Sequence, residues 1–163
     1  MGKEDAQPLE SRPPTLADLL TLCKNLNDNK IKYIVIGGMA VIQHGYVRAT
    51  EDIDLLVETS PENEKRLLQT LTYLPDKAVK ELNFGDIGKY TVVRIADEII
   101  IDLLQSAGGV KYNEAKEGII YITIDSVKIP FAGLELLHKM KQTLREKDKL
   151  DLLFLEEKMK TKK

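Results

Sequence analysis

The sequence predicts an α+β protein in which helices cover a mixed β-sheet. Three observations point to this class. Short apolar runs of strand length recur through residues 31–130. Four of them stand in pairs around candidate tight turns, as the strands of antiparallel hairpins do. Helical periods of apolar residues precede the first run and follow the last, so helices are available to cover the sheet.

A single domain is expected for this chain of 163 residues, which is long enough to bury an ordinary core. Residues 1–14 are polar and contain three prolines, which predicts a flexible N-terminal tail. The remainder, residues 15–163, is predicted to be one domain. Its sheet core covers residues 15–130 and its C-terminal helices cover residues 131–160.

The first helix is predicted to begin after Thr15. The Thr15 side chain can cap the helix, and Asp18 stands three residues on, as in a capping box. Leucines and Cys23 then recur at helical spacing to about Asn29. Cys23 is the one cysteine of the chain, and its place on this apolar stripe predicts a buried thiol.

Two strands and a short helix are predicted next. An apolar strand over residues 31–36 leads to Gly37 and Gly38, which separate it from a helical piece over residues 39–43. The second strand covers residues 52–57, where acidic and apolar side chains alternate at its start.

The later elements follow from signals of the same kind. Ser60-Pro61 is a helix start, and Pro75 ends that helix. Residues 76–89 are predicted to be a loop, which either serves a neighbouring site or simply connects two elements. The elements that remain are a strand over residues 90–95, a tight turn at Ala96-Asp97, a strand over residues 98–104, a short helix over residues 112–117, a hairpin of residues 119–124 and 127–130, and helices over residues 134–144 and 146–160.

Composition excludes several classes of protein. The net charge of −2 gives no overall basic footprint for nucleic acid. No apolar run approaches the about 20 residues of a membrane helix, and the N-terminus lacks the apolar core of a signal peptide. One cysteine and two histidines make a cysteine or histidine zinc site improbable. A cytoplasmic protein without membrane contact is therefore expected.

Two acids mark the second strand. Asp52 and Asp54 alternate with Ile53 and Leu55, so both carboxylates point to one face, with their Cα atoms about 6.6 Å apart. Acids on an otherwise apolar strand cost free energy unless something pairs with them. A bound cation would supply that pairing.

This pattern resembles a known family. Gly37-Gly38, a spacer of thirteen residues and Asp52-Ile53-Asp54-Leu55 are similar to the signature of the nucleotidyltransferase superfamily, which has the polymerase-beta-like fold. Residues 48–54 look like the R-x-T-x-D-x-D variant of small bacterial members related to abortive-infection toxins. Residues 145–152 look like the R-x-K-D-x-x-D-L segment of the same proteins. The resemblance covers residues 33–155 and implies the family's fold with added C-terminal helices.

The resemblance implies that Asp102 is a third catalytic carboxylate beside Asp52 and Asp54. Three carboxylates suit Mg²⁺, which prefers hard oxygen ligands. Asp52 and Asp54 would hold two ions, while Asp102 would complete the shell of one and act as a base on the acceptor. The alternative is that Asp102 lies on an edge strand and faces water.

Four further residues are predicted to bind the nucleotide. Gly37 and Gly38 would let phosphate approach the backbone, which a side chain at Gly38 would block; the alternative is a plain structural turn. Arg48 either clamps a phosphate or lies on the surface. Lys141 points inward from an apolar helix face, with Lys139 as its rival for the lysine of the family.

The acids of the C-terminal segment have a simpler interpretation as well. Asp148 and Asp151 can pair with Arg145 and Lys147 at helical spacing. Such pairs are common on exposed helix faces and would have no part in a site.

The activity that the resemblance implies is metal-dependent transfer of a nucleoside monophosphate from an NTP, such as ATP, to an acceptor, with release of pyrophosphate. The acceptor can be a small molecule, a tRNA or a protein. A toxin-like enzyme of a toxin–antitoxin pair that modifies tRNA is one alternative, and a catalytically silent module that binds a nucleotide or a partner is another. A homodimer could complete the acceptor site, since the chain is short for an enzyme that encloses two substrates.

Overall fold

The sheet of the protein has six strands in the computed structural model, which describes residues 10–141 and 146–161. A separate ribbon of two short strands lies after the fourth. The strands are β1 (Tyr33–Ile36), β2 (Asp52–Val57), β3 (Val92–Ala96), β4 (Ile100–Leu104), β5 (Ser106–Ala107), β6 (Val110–Lys111), β7 (Ile119–Ile124) and β8 (Val127–Ala132).

Seven α-helices accompany the strands within those described residues, together with single 3₁₀ turns at Leu71–Tyr73, Ala78–Glu81 and Lys116–Gly118. The helices are α1 (Leu16–Asp28), α2 (Gly37–Gln43), α3 (Pro61–Thr70), α4 (Asp86–Lys89), α5 (Tyr112–Ala115), α6 (Leu134–Met140) and α7 (Glu146–Thr161). None of the described helices is both long enough and apolar enough to cross a bilayer.

The large sheet is mixed, as the sequence predicts. Its order is β3-β4-β2-β1-β8-β7. β1 pairs antiparallel with β2 and parallel with β8, β2 pairs parallel with β4, and both predicted hairpins, β3–β4 and β7–β8, are present. The centre of the sheet therefore joins strands that are far apart in the sequence. The α+β class is confirmed.

The core lies around the central strands. All four residues of β1 are buried, so helices or loops cover both of its faces, and a continuous apolar strand is what such a position requires. On β2, Ile53 and Leu55 are fully buried while Asp52 and Asp54 are half-buried on the opposite face. Alternation thus separates the core face from a polar face at this point of the sheet.

The predicted start of α1 is confirmed. Thr15 accepts the N–H of Asp18, and the Asp18 carboxylate accepts the N–H of Thr15 at 2.7 Å, which completes the capping box. Cys23 is buried on the inner face of α1, and burial raises the pKa of its thiol to about 12. Cys23 is therefore a core residue rather than a reactive thiol.

β1 begins two residues later than its predicted start at residue 31. The side chain of Asn63 accepts the N–H of Lys32 at 2.8 Å and donates to the carbonyl of Lys32 at 3.1 Å. The N–H of Lys32 is thereby taken by α3, while its carbonyl also accepts the N–H of Glu58 at 3.2 Å. The pairing of Lys32 with Glu58 is therefore incomplete, and Tyr33 is the first strand residue.

Residues 11–12 and the start of the segment 76–89 are bound to the turn between β3 and β4. Ser11 donates to the carbonyl of Asp97 and the N–H of Arg12 donates to the carbonyl of Glu98, so this part of the predicted tail contacts the domain. The buried Asp97 carboxylate accepts the N–H groups of Asp76 and Ala78 at 3.0 and 2.9 Å. The segment predicted as a loop contains the 3₁₀ turn Ala78–Glu81 and helix α4, and Asp97 gives it a structural anchor that its sequence did not indicate.

The C-terminal helices differ from their predicted bounds. α6 ends at Met140, with Lys141 as its C-cap, rather than at residue 144. Arg145 and the side chains of Lys147 and Asp148, for which pairings were predicted, lie outside the described residues.

Candidate active site

One row of residues crosses four neighbouring strands and defines the site. The register places Arg94 of β3 opposite Asp102 of β4, Asp102 beside Asp54 of β2, and Asp54 opposite Ile36, the last residue of β1. Directly paired residues point to the same face of a sheet. Asp52 lies two residues before Asp54 on that face, so the row brings three acids together.

The three acids converge on one point. Asp52, Asp54 and Asp102 each offer a carboxylate oxygen, and these oxygens all lie within 4.8 Å of one another. Asp102 is buried, with 6% of its surface exposed, so it does not face water on an edge strand; β3 covers that edge of β4. The convergence expected from alternation and resemblance is present, while the catalytic and metal-binding roles stay predictions.

A cleft of about 160 Å³ surrounds the acids. A second cavity of about 210 Å³ adjoins it, and Asp54, Leu104 and Lys141 line both cavities. Each is smaller than the about 300 Å³ at which small-molecule sites begin, so a ligand of nucleotide size would extend through both. The first cleft is lined by Gly38, Arg48, Thr50, Asp52, Asp54, Val92, Arg94, Asp102, Leu104 and Lys141.

Arg94 is a residue of the cleft that the sequence analysis missed. Its Nε and Nη2 donate to the two carboxylate oxygens of Asp102, both at 2.9 Å, and Nη2 lies 3.2 Å from Oδ2 of Asp52. The hydrogen bonds to Asp102 raise the pKa of the guanidinium, which stays charged. The acids are thus paired with a cation that belongs to the protein itself.

The missed signal was the register of the hairpin. A two-residue turn at Ala96-Asp97 would place Thr91 opposite Asp102. In the structure the N–H of Asp97 donates to the carbonyl of Ile99, and the turn is longer, so Arg94 takes that position. Asp97 is buried by its contacts with the loop before β3, which the local turn pattern does not reveal.

A second charged group is buried at the rear of the cleft. Asp151 of α7 is fully buried, and its Oδ2 accepts from Arg48 Nη2 at 3.0 Å and lies 3.1 Å from Lys141 Nζ. Arg48 Nε also lies 3.0 Å from Oδ1, but the two atoms are not aligned for a hydrogen bond. We call Arg48, Lys141 and Asp151 the buried triad.

The buried triad rules out one of the alternatives that the sequence left open for each of Asp151 and Arg48. Asp151 does not form exposed pairs along its own helix but binds two cations of the site. Arg48 is not a surface arginine, since its side chain is only 19% exposed. Lys141 lies in the cleft, whereas its rival Lys139 is exposed. The nucleotide contacts predicted for Arg48 and Lys141 remain predictions.

The two glycines are closely surrounded by side chains of the site. Gly37 has φ +69°, and a Cβ there would collide with the carboxylate of Asp54. A Cβ on Gly38 would lie 2.6 Å from Thr50 Oγ1 and 2.9 Å from Arg48 Nη2. Helix α2 begins at Gly37 itself, so the glycines let site residues pack against its first turn. Their contact with phosphate is a prediction.

Sequence comparison points to one family. A family model described as "Nucleotidyl transferase of unknown function (DUF2204)" matches residues 15–162, which is nearly the whole chain. No protein of curated function is similar enough in sequence to count as a relative.

Solved structures with the same fold include three that are distant in sequence. The lincosamide antibiotic adenylyltransferase LnuA, bound to lincomycin, is 16% identical, with 89% of this chain and 98% of that one covered and a TM-score of 0.58. A protein assigned as a nucleotidyltransferase from Thermotoga maritima is 16% identical, with coverage of 90% and 89% and a TM-score of 0.56. An antigenic nucleotidyltransferase-like protein from Paracoccidioides brasiliensis is 17% identical, with coverage of 85% and 73% and a TM-score of 0.54.

Proposed function

The chain belongs to the DUF2204 family of nucleotidyl transferases, and from this we propose that it is a metal-dependent enzyme that moves a nucleoside monophosphate from an NTP to an acceptor hydroxyl or phosphate. The observation that carries the proposal is the convergence of three carboxylate oxygens within 4.8 Å in a cleft that three cations also line. Acids and cations that line one cleft suit a metal bound by the acids and a polyphosphate bound by the cations.

The donor set fits Mg²⁺. Three carboxylates are hard oxygen ligands, and an ion bound by two or three of them keeps positions for water and phosphate. Asp52, Asp54 and Asp102 would hold the metal, two ions being the expectation. When bound, Mg²⁺ neutralises charge on the transferred group and on the leaving pyrophosphate.

The residues of the cleft have separate tasks in this proposal. The acceptor oxygen attacks the α-phosphorus, the bond from that phosphorus to the pyrophosphate oxygen breaks, and the proton of the hydroxyl passes to Asp102 as general base. Arg48 and Lys141 bind phosphate oxygens and orient the chain of phosphates. Gly37 and Gly38 allow the phosphates to approach the start of α2.

The buried triad supports this division of tasks. Asp151 fixes Arg48 and Lys141 relative to the sheet by contacts of 3.0 and 3.1 Å. Cations that are held in place before the substrate arrives lose little entropy on binding it. The same contact ties α7 to the site and supports the proposal that residues 15–163 form one domain.

The test is transfer of label from NTPs that carry it on the α-phosphate, in Mg²⁺, to separate pools of small molecules, tRNA and protein. Label in one pool, absent with Asp102→Asn, is the expected result and names the acceptor class. Label on tRNA ends would favour the toxin-like alternative. Binding of NTP and Mg²⁺ without transfer to any pool would favour the catalytically silent module and overturn the proposal.

A further inference from the structure

Arg94 contacts two of the three acids of the cleft. Its guanidinium grips Asp102 through both oxygens at 2.9 Å and reaches Oδ2 of Asp52 at 3.2 Å. This is the two-pronged geometry in which an arginine binds a carboxylate best. The pairing is built into the sheet, because β3 and β4 place Arg94 directly opposite Asp102.

The oxygens that Arg94 uses are the ones that a divalent ion would need. Mg²⁺ binds carboxylate oxygen at about 2.0–2.1 Å, which would put it within a few ångströms of the guanidinium, and the two positive charges repel each other. Metal binding by Asp102 and the present contacts of Arg94 therefore compete.

The surroundings of Arg94 allow its side chain to move away from the acids. Its side chain is 55% exposed, whereas those of Arg48 and Lys141 are 19% and 10% exposed. β3 is an edge strand, so the guanidinium can swing outward without disturbing the core. Three cations line the cleft in the described part of the chain, and Arg94 is the one of them that does not belong to the buried triad.

The same guanidinium fits a phosphate. A planar fork that binds the two oxygens of a carboxylate binds two oxygens of a phosphate equally well. When an NTP lies across the cleft, its phosphates stand beside the acids, so Arg94 has a second anion within reach as it leaves the first.

We propose that Arg94 is a displaceable counter-ion of the acidic cluster. It pairs with Asp102 and Asp52 until metal and NTP bind together, and it then pairs with the phosphates instead. This inference rests on the proposed function for the identity of the incoming ligand. It follows that Mg²⁺ alone binds weakly, and that Mg²⁺ and the NTP strengthen each other's binding.

Calorimetry with three proteins tests the proposal. Mg²⁺ alone is titrated into the parent, into Arg94→Gln and into Arg66→Gln, whose arginine is exposed and lies on α3. Arg94→Gln should bind Mg²⁺ alone about tenfold more tightly than the parent, or about 1.4 kcal/mol, because its competitor is gone. Arg66→Gln should match the parent.

The second titration uses the non-transferable α,β-methylene analogues of the four NTPs at saturating Mg²⁺. Arg94→Gln should bind the preferred analogue at least fivefold more weakly, since it lacks the phosphate contact, and Arg94→Lys should fall between the two. Circular dichroism checks that each variant is folded; should Arg94→Gln not fold, Arg94→Lys, which keeps the charge but lacks the fork, serves for both titrations.

Equal Mg²⁺ affinity in the parent and Arg94→Gln overturns the inference, as does loss of Mg²⁺ binding in Arg94→Gln. These outcomes are separate from failure of the proposed function. If the parent transfers label but Arg94→Gln binds Mg²⁺ with the parent's affinity, the counter-ion inference alone is refuted. If the parent transfers no label but Arg94→Gln binds Mg²⁺ more tightly than the parent, the proposed function is refuted and the counter-ion role of Arg94 stands.

Discussion

At the scale of single residues, acidic side chains in and beside the cleft are paired with basic side chains of the protein. Asp52 and Asp102 both pair with Arg94, and Asp151 pairs with both Arg48 and Lys141. From the sequence, a bound cation was expected to pair with Asp52 and Asp54. The resident arginine changes that expectation, because removing an acid now also strands a cation.

Gly38 provides the prediction at this scale. Replacing Gly38 with alanine sets a Cβ 2.6 Å from Thr50 Oγ1 and 2.9 Å from Arg48 Nη2, so these side chains must shift. Overpacking of this kind costs about 1–3 kcal/mol. We therefore expect Gly38→Ala to lower the free energy of unfolding in urea by about that amount and to weaken binding of the NTP analogue, because Arg48 is displaced.

Gly88→Ala is the matched control. Gly88 lies in a short helix with open space around it and no positive φ, so this variant should keep both stability and affinity. Stability equal to the parent's in Gly38→Ala would mean that Thr50 and Arg48 adjust freely, and the glycine would then have no packing role.

At the scale of elements, two helices depend on charged contacts at particular points. α1 begins with a capping box whose acid, Asp18, also receives two hydrogen bonds from Arg12 at 2.6 and 2.8 Å. α7 is held against the cleft by Asp151 and by the stacking of Phe154 on Tyr46, with ring centres 4.9 Å apart. The first contact is near the surface and the second is buried, so they should respond differently to change.

The start of α1 should make stability depend on pH in the acid range. The hydrogen bonds from Arg12 lower the pKa of Asp18 from 3.8 to about 2 in the folded protein. A lowered folded-state pKa stabilises the fold above about pH 4, and this stabilisation is lost as pH falls towards 2. Asp18→Asn should therefore cost about 1 kcal/mol at pH 7 and almost nothing at pH 2.

Urea unfolding of the parent and variant at several pH values measures this difference. Asp28→Asn, at the other end of α1 and exposed, is the control and should differ little from the parent at any pH. A cost for Asp18→Asn that stays constant from pH 7 to 2 would contradict the assignment to the charged contact with Arg12.

The attachment of α7 should fail when Asp151 loses its charge. Asp151→Asn leaves Arg48 and Lys141 without their buried anion, and breaking a buried ion pair from one side costs about 3 kcal/mol. We expect that loss in urea unfolding, together with weaker binding of the NTP analogue. Glu157→Gln on the same helix removes a pair whose side chains are 74% exposed and should be nearly neutral. A neutral Asp151→Asn would show that α7 does not need this contact.

On the scale of the whole molecule, the core and the C-terminal helix are expected to unfold together. The apolar core runs from α1 through the sheet to Leu155 of α7, and small domains with one such core usually unfold in a single step. The chain has six tyrosines and no tryptophan, so tyrosine emission and far-ultraviolet circular dichroism can be compared directly. Their urea midpoints should coincide.

Tyr46→Phe sharpens this measurement. Tyr46 stacks on Phe154 of α7, so the difference in emission between the parent and this variant reports the docking of that helix. An emission change from Tyr46 at lower urea than the loss of circular dichroism would mean that α7 detaches first, and the protein would then have two cooperative units.

Local patterns in the sequence were enough for most elements and for the acids. The capping box at Thr15, the hairpin around Asp125-Ser126 and the alternation at Asp52 and Asp54 are each decided within a few residues. Such features can be predicted because neighbours in the chain determine them. Asp102 joined the two acids by resemblance, since its neighbour on β2 lies 48 residues earlier.

The features that escaped prediction depend on contacts between distant parts of the chain. Arg94 was missed because the buried Asp97 carboxylate lengthens the turn that sets its register. The partners of Asp151 are 103 and 10 residues away, and neither lies at the helical spacing that a local pattern considers. Only the folded chain brings these charges together.

The strand order also affects how the protein is made. β1 leaves the ribosome early, yet one of its two neighbours, β8, comes from the last third of the chain, and Val35 finds Phe131 only then. Long-range parallel pairing of this kind is slow. During synthesis one edge of β1 therefore waits unpaired, as an apolar surface that chaperones would have to shield. α7 and its Asp151 emerge later still, so a nascent or truncated chain has no assembled cleft with which to consume NTP.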